Sequence, residues 1–139
     1  MQARMSFLFT VAVVALASLF AAQPAAAGTK STFPVYIYTT ANPPYQSASG
    51  SIADTRNEGD SSASIGCSLT ATPGQPIEGY CDAFTSTQGA GCWTTDPALI
   101  QVIASMKGDS YIAFSSNNSN GTCSFISTTV GSWYAPKTP

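Results

Sequence analysis

No histidine occurs anywhere in the 139 residues, so every mechanism that needs an imidazole as base or zinc ligand is excluded. Ser-His-Asp hydrolysis and the H-E-x-x-H metalloproteases are among them. The chain also lacks G-x-S-x-G, S-x-x-K, G-x-x-x-x-G-K-[ST] and G-x-G-x-x-G, so nothing in it points to a nucleotide or another cofactor. Carboxylates remain. Two of them can hydrolyse a glycosidic bond without histidine, and Asp54, Glu58, Asp60, Asp82 and Asp96 are available. Their spacing singles out no pair, so no catalytic residue, cofactor-binding residue or metal ligand is assigned.

The densest polar cluster is Asp54-Thr55-Arg56-Asn57-Glu58-Gly59-Asp60. Asp54 and Gly59 match the first and sixth positions of a calcium-binding EF-hand loop, but Arg56 and Ile65 stand at the third and twelfth, where acids are required. The better reading is a structural loop in which Arg56 bridges to Asp54 or Asp60. The cysteines Cys67, Cys81, Cys92 and Cys123 form no C-x-x-C pair, which argues against a zinc site of four thiolates. An even count in an exported chain implies two disulfides, and four cysteines allow three pairings. Cys81 with Cys92 would close a Gly/Ser/Thr-rich loop, and Cys67 with Cys123 would tie an early strand to a late one, so that pairing is preferred.

The aromatics Tyr36, Tyr38, Tyr45, Tyr80, Trp93, Tyr111, Trp133 and Tyr134 supply bulk to a chain poor in leucine, or a flat face for a ligand. Trp133 and Tyr134, near the C-terminus, are the pair expected to be exposed. With Arg56 and Trp93 they make up the candidate binding surface. Asn117-Asn118-Ser119 and Asn120-Gly121-Thr122 fit the N-glycosylation pattern, and a turn explains the same residues equally well.

The elements that must position these groups begin after an export signal. Arg4 supplies a positive n-region, Phe7 to Ala22 an apolar run of 16 residues, and Ala25-Ala26-Ala27 the small residues of a cleavage site after Ala27. A spanning helix needs about 20. The expected organisation is a signal peptide over 1–27 and one domain over 28–139, with a long polar loop at 45–62. Within the domain, 33–39, 65–69, 80–84, 111–114 and 123–126 read as strands from their β-branched and aromatic residues. Thr95 or Asp96 as N-cap, Pro97 at the first helical position, and Leu99, Ile100, Ile103 and Met106 at helical spacing predict one helix over about 96–107, stopped by Gly108. The expected class is α+β: an antiparallel sheet of about four to five strands, braced by disulfides, with that helix on one face.

Beyond the signal, Lys30, Arg56, Lys107 and Lys137 oppose seven acids, for a net charge of −3. Scattered single bases do not suit nucleic acid or an anionic membrane. From about Gly50 onward the chain resembles a group of small exported bacterial proteins with four cysteines and no assigned activity. The resemblance rests on Gly50-Ser51, Arg56-Asn57, Asp60, Ile65-Gly66-Cys67, Tyr80-Cys81-Asp82-Ala83, Asp109-Ser110-Tyr111-Ile112, Gly121-Thr122-Cys123 and Tyr134-Ala135-Pro136-Lys137. Ser64 departs from it, standing where an aromatic is expected. The resemblance implies export and a bacterial source, and it carries no functional residue. The expected product is secreted or periplasmic, a non-catalytic module that binds a protein or glycan at the cell surface. The alternatives are a secreted inhibitor or effector presenting the Thr85 to Gly91 loop, and a carboxylate-dependent hydrolase.

Overall fold

A computed structural model describes residues 31–41, 44–117 and 119–134; the expected signal at 1–27 lies outside them. The strands are β1 (Tyr36–Ala41), β2 (Pro44–Ser51), β3 (Ser64–Thr70), β4 (Glu78–Phe84), β5 (Gly89–Thr94), β6 (Tyr111–Asn117) and β7 (Thr122–Thr129). Two helices, α1 (Ile52–Asn57) and α2 (Pro97–Ala104), complete the described elements. The strands form one sheet in the order β1-β2-β6-β7-β5-β4-β3. This corrects the expected four to five strands and single helix. It also makes the sheet mixed, because β5 meets β7 in parallel through the Trp93–Thr122 pair, while every other neighbour is antiparallel.

The core follows from strand parity. Ile37, Ala48, Phe114 and Ile126 lie opposite one another across β1, β2, β6 and β7, and all four are buried. In the other half, Ile65, Ala83 and Ala90 form the matching buried row across β3, β4 and β5. Small residues fill much of this interior, so the sheet curls tightly enough for β2 to come within 8 Å, Cα to Cα, of β3, β4 and β5. Gly50 permits one such approach: a Cβ there would sit 3.2 Å from the Val35 Cα.

The four cysteines also occupy one row. Cys67 faces Cys81 across β3 and β4, Cys81 faces Cys92 across β4 and β5, and Cys123 lies on β7 next to the Trp93–Thr122 pair. The disulfides are Cys67–Cys81 and Cys92–Cys123, which corrects the preferred pairing. The row gives the reason. Joining the middle two, Cys81 and Cys92, would leave Cys67 and Cys123 three strand spacings apart, about 14 Å, beyond the roughly 7 Å Cα limit for a bridge.

The stretch expected as a polar loop at 45–62 instead holds β2 and α1. Ser51 caps α1, its hydroxyl accepting from the Asp54 N–H at 3.3 Å. Asp54 of α1 and Glu58, its C-cap, then reach the segment before β1. Asp54 Oδ2 accepts from the Phe33 N–H at 2.9 Å, and Glu58 Oε1 from the Val35 N–H at 3.0 Å. The helix at 97–104 forms as expected, with the Asp96 carboxylate accepting from the N–H groups of Ala98 and Leu99. It ends before Gly108. Ser105, the C-cap, turns its hydroxyl onto the Val102 carbonyl at 2.7 Å, and the Lys107 N–H bonds the Ser110 hydroxyl.

Candidate functional site

The four residues expected to make a binding surface do not come together. Tyr134 is buried, stacked on Tyr111 with ring centroids 5.7 Å apart and edge-on to Phe33 at 5.3 Å. This overturns its expected exposure. The rings fasten the two ends of the described domain to each other, since the Ser31 N–H also bonds the Trp133 carbonyl at 2.9 Å. Trp133 itself is about half exposed, at 46%, and its ring folds back over Gly131. Trp93 lies elsewhere. It pairs with Thr122, which faces Asn117 at the far end of β6 from Tyr111, about 20 Å away along the strand.

Arg56 is exposed at the end of α1 and borders a shallow groove of about 180 Å³ with Ile52, Thr55, Ala63, Ser64 and Ile65. It does not bridge to Asp54 or Asp60. Those carboxylates are taken by backbone N–H groups: Asp54 by Phe33, and Asp60 by Ser62 and Ser86 at 2.8 and 3.0 Å. The amides of Ser86 and then Ser62 hold the Asp60 carboxyl below its ordinary pKa, because hydrogen bonds to the ionised form favour it. Asp60 thereby latches the 85–88 loop to the 60–62 turn. Among the described residues no group of three or more His, Cys, Asp or Glu side chains is placed to hold a metal.

Trp93 is the one expected residue that belongs to a broader surface. On β4, Gly79, Cys81 and Ala83 point inward, while Glu78, Tyr80, Asp82 and Phe84 point outward. Bulky side chains facing out and small ones facing in reverse the usual parity of a half-buried strand. Tyr80 and Trp93 are direct neighbours across β4 and β5, and both are nearly half exposed, at 48% and 46%.

Glycines make room for these rings. The Tyr80 hydroxyl lies over Gly91, 2.8 Å from where a Cβ would stand; the Phe84 ring lies over Gly89 at 3.0 Å, and Trp93 leans towards Gly121 at 3.8 Å. Aromatic rings that cover cross-strand glycines keep such a strand from fraying. Because Tyr80 and Trp93 lean in different directions, a groove of about 290 Å³ opens beside them, lined by Thr70, Glu78, Gly79, Tyr80 and Trp93.

Asp82 stands between two glycines, opposite Gly66 on β3 and Gly91 on β5. Partial burial pushes its carboxyl above the ordinary aspartate pKa. Glu78 and Asp82 lie four residues apart on one strand, about 13 Å, which is wider than the roughly 5–9.5 Å that separates the carboxyl groups of a glycosidase. Asp54, Asp60 and Asp96 are each committed to backbone amides.

From sequence, Trp93 was visible as an isolated aromatic, whereas Glu78, Asp82 and Phe84 were not recognised as its neighbours. The signal was the parity of Glu78-Gly79-Tyr80-Cys81-Asp82-Ala83-Phe84, large at even positions and small at odd ones. Comparison with known proteins returns no match to a family model, to a curated protein or to a solved structure.

Proposed function

We propose that the chain is an exported, non-catalytic binding module that works outside the cytoplasm through the outer face of β3, β4 and β5. The observation that carries this reading is the set of half-exposed rings, Tyr80, Phe84 and Trp93, seated over glycines on that face. Rings fixed in this way offer contact area at little entropic cost. The ligand is a protein or glycan of the cell surface. Binding of the labelled domain to printed arrays of glycans and surface-protein peptides tests the reading. The parent is expected to give discrete positive spots that the double variant Tyr80→Ala/Trp93→Ala loses; equal binding by the variant would move the site elsewhere.

Export is supported by two disulfides, which persist in oxidising compartments, and by the n-region, apolar run and A-x-A-like site of the first 27 residues. No described helix is long and apolar enough to cross a membrane. The intact mass of the protein from its host is expected to match Gly28 to Pro139 less the hydrogens of two disulfides, with no alkylation before reduction. A retained leader or free thiols would overturn this.

A second reading, an inhibitor or effector, is favoured by the 85–88 loop. The Thr85 hydroxyl accepts from the N–H groups of Thr87 and Gln88, and Asp60 from Ser86, which makes it an exposed, preorganised loop of the kind that binds at low entropic cost.

A further inference from the structure

The groove between Tyr80, Trp93 and Glu78 has a composition that narrows its ligand beyond the general reading above, on which this inference rests. Two aromatic side chains and one acidic residue line it, together with Thr70 and Gly79. Asp82 follows on the same outward row. No lysine or arginine lies on β3, β4 or β5, so these strands supply no positive charge of their own to offset the two acids. Among the described residues the Asp82 carboxylate has no hydrogen bond or ion pair, and burial is the one cause of its displaced pKa.

We infer that the groove is a site for an organic cation, an ammonium or guanidinium group, held against the Tyr80 and Trp93 rings with Glu78 as its direct counter-charge and Asp82 adding negative charge farther along the strand. A ring face attracts a cation through its quadrupole, most strongly for tryptophan, and the carboxylates add a charge-assisted partner. A neutral sugar can stack on the rings and donate hydroxyl hydrogen bonds to a carboxylate, but only a cation adds direct charge attraction to both the rings and the acid. The volume, about 290 Å³, is close to the lower end of ordinary small-ligand pockets, which suits one cationic head group rather than an extended chain. Such a group can be free, as in a quaternary ammonium compound, or borne on a lysine or arginine of a partner protein.

Trp133→Phe leaves Trp93 as the one tryptophan and turns its fluorescence into a reporter of the groove. The probes are tetramethylammonium, N-acetyl-lysinamide, N-acetyl-argininamide, and neutral cellohexaose and chitohexaose. Saturable change with at least one cation is expected, weakened roughly five- to tenfold by Glu78→Gln or by Tyr80→Ala and weakened by added salt. Phe125→Ala, on β7 and half exposed, is expected to leave it unchanged, with matched melting temperatures showing that each variant is folded. Response to tetramethylammonium alone assigns a free quaternary cation; response to the amides assigns a polypeptide side chain. Response to the neutral oligosaccharides alone overturns the cation assignment and leaves the binding face standing. Silence towards every probe, with array binding that survives loss of Tyr80 and Trp93, removes both.

Discussion

Replacing Cys92 and Cys123 together by serine is expected to lower the stability of the domain by about 4 kcal/mol, the larger of the two disulfide effects. Two arguments converge on this pair. In the chain-entropy picture, the bridge with a sequence separation of 31 constrains the unfolded chain by about 4 kcal/mol, against about 3 for Cys67–Cys81 with its separation of 14. The native architecture widens the gap. Cys67–Cys81 joins β3 and β4, already paired from Ser64–Phe84 to Thr70–Glu78. Cys92–Cys123 joins β5 to β7, where the sheet is held by the parallel Trp93–Thr122 pair and the Trp93 N–H to Gly121 carbonyl bond of 3.0 Å. Losing it frees the β3-β4-β5 half to move against the rest. Urea unfolding of the two double-serine variants checks this; a larger loss for the Cys67/Cys81 variant would contradict the account.

The second large effect is expected at Phe114. Among the described residues it is the largest side chain that is fully buried, at 1% exposure, and it stands in the middle of the row between Ala48 and Ile126. Phe114→Ala is expected to cost about 3–5 kcal/mol, because the small cross-strand neighbour Ala48 cannot fill the space left behind. A domain of this size has about 5–15 kcal/mol in total, so the variant should be partly unfolded at moderate temperature. Phe125→Ala is the internal control. Its ring points outward at 50% exposure, and it should lose less than about 1 kcal/mol. Thermal or urea melts of both variants measure the contrast, and similar losses at the two sites would mean that the inner and outer faces of β6 and β7 are misassigned.

These contrasts also explain what the sequence revealed and what it concealed. The helix at 97–104 was legible because Asp96, Pro97 and the spaced Leu99, Ile100 and Ile103 agree at every level. Strands with β-branched or aromatic residues on alternate positions, such as Tyr111–Asn117, were legible for the same reason. β2 was not. Its sequence Pro-Tyr-Gln-Ser-Ala-Ser-Gly-Ser has the composition of a loop, and it is held as a strand by pairing with β1 and β6 on both sides. β5 was hidden in part because Gly89 and Gly91 read as a break, whereas they are the places over which Phe84 and Tyr80 lie. In both cases the information is non-local, so local propensity loses to tertiary context. The disulfide pairing was illegible for a related reason, since it depends on the order of β3, β4, β5 and β7 across the sheet. The candidate site suffered most. Its residues come from β3, β4 and β5, and their common face appears only once the register is known.

The bond between Ser31 and Trp133, and the rings of Phe33 and Tyr134 that close over it, bring the two ends of the described domain to one spot. The path of the backbone is therefore nearly a ring, and the place where it is open is a matter of gene layout more than of architecture. A short linker across that spot would let the chain be reopened at the exposed 71–77 turn, with the Cys67–Cys81 bridge still holding the two sides of the cut together. A fusion partner could then be inserted there, on the same half of the sheet as Trp93, whereas the junction of Ser31 and Tyr134 lies away from it.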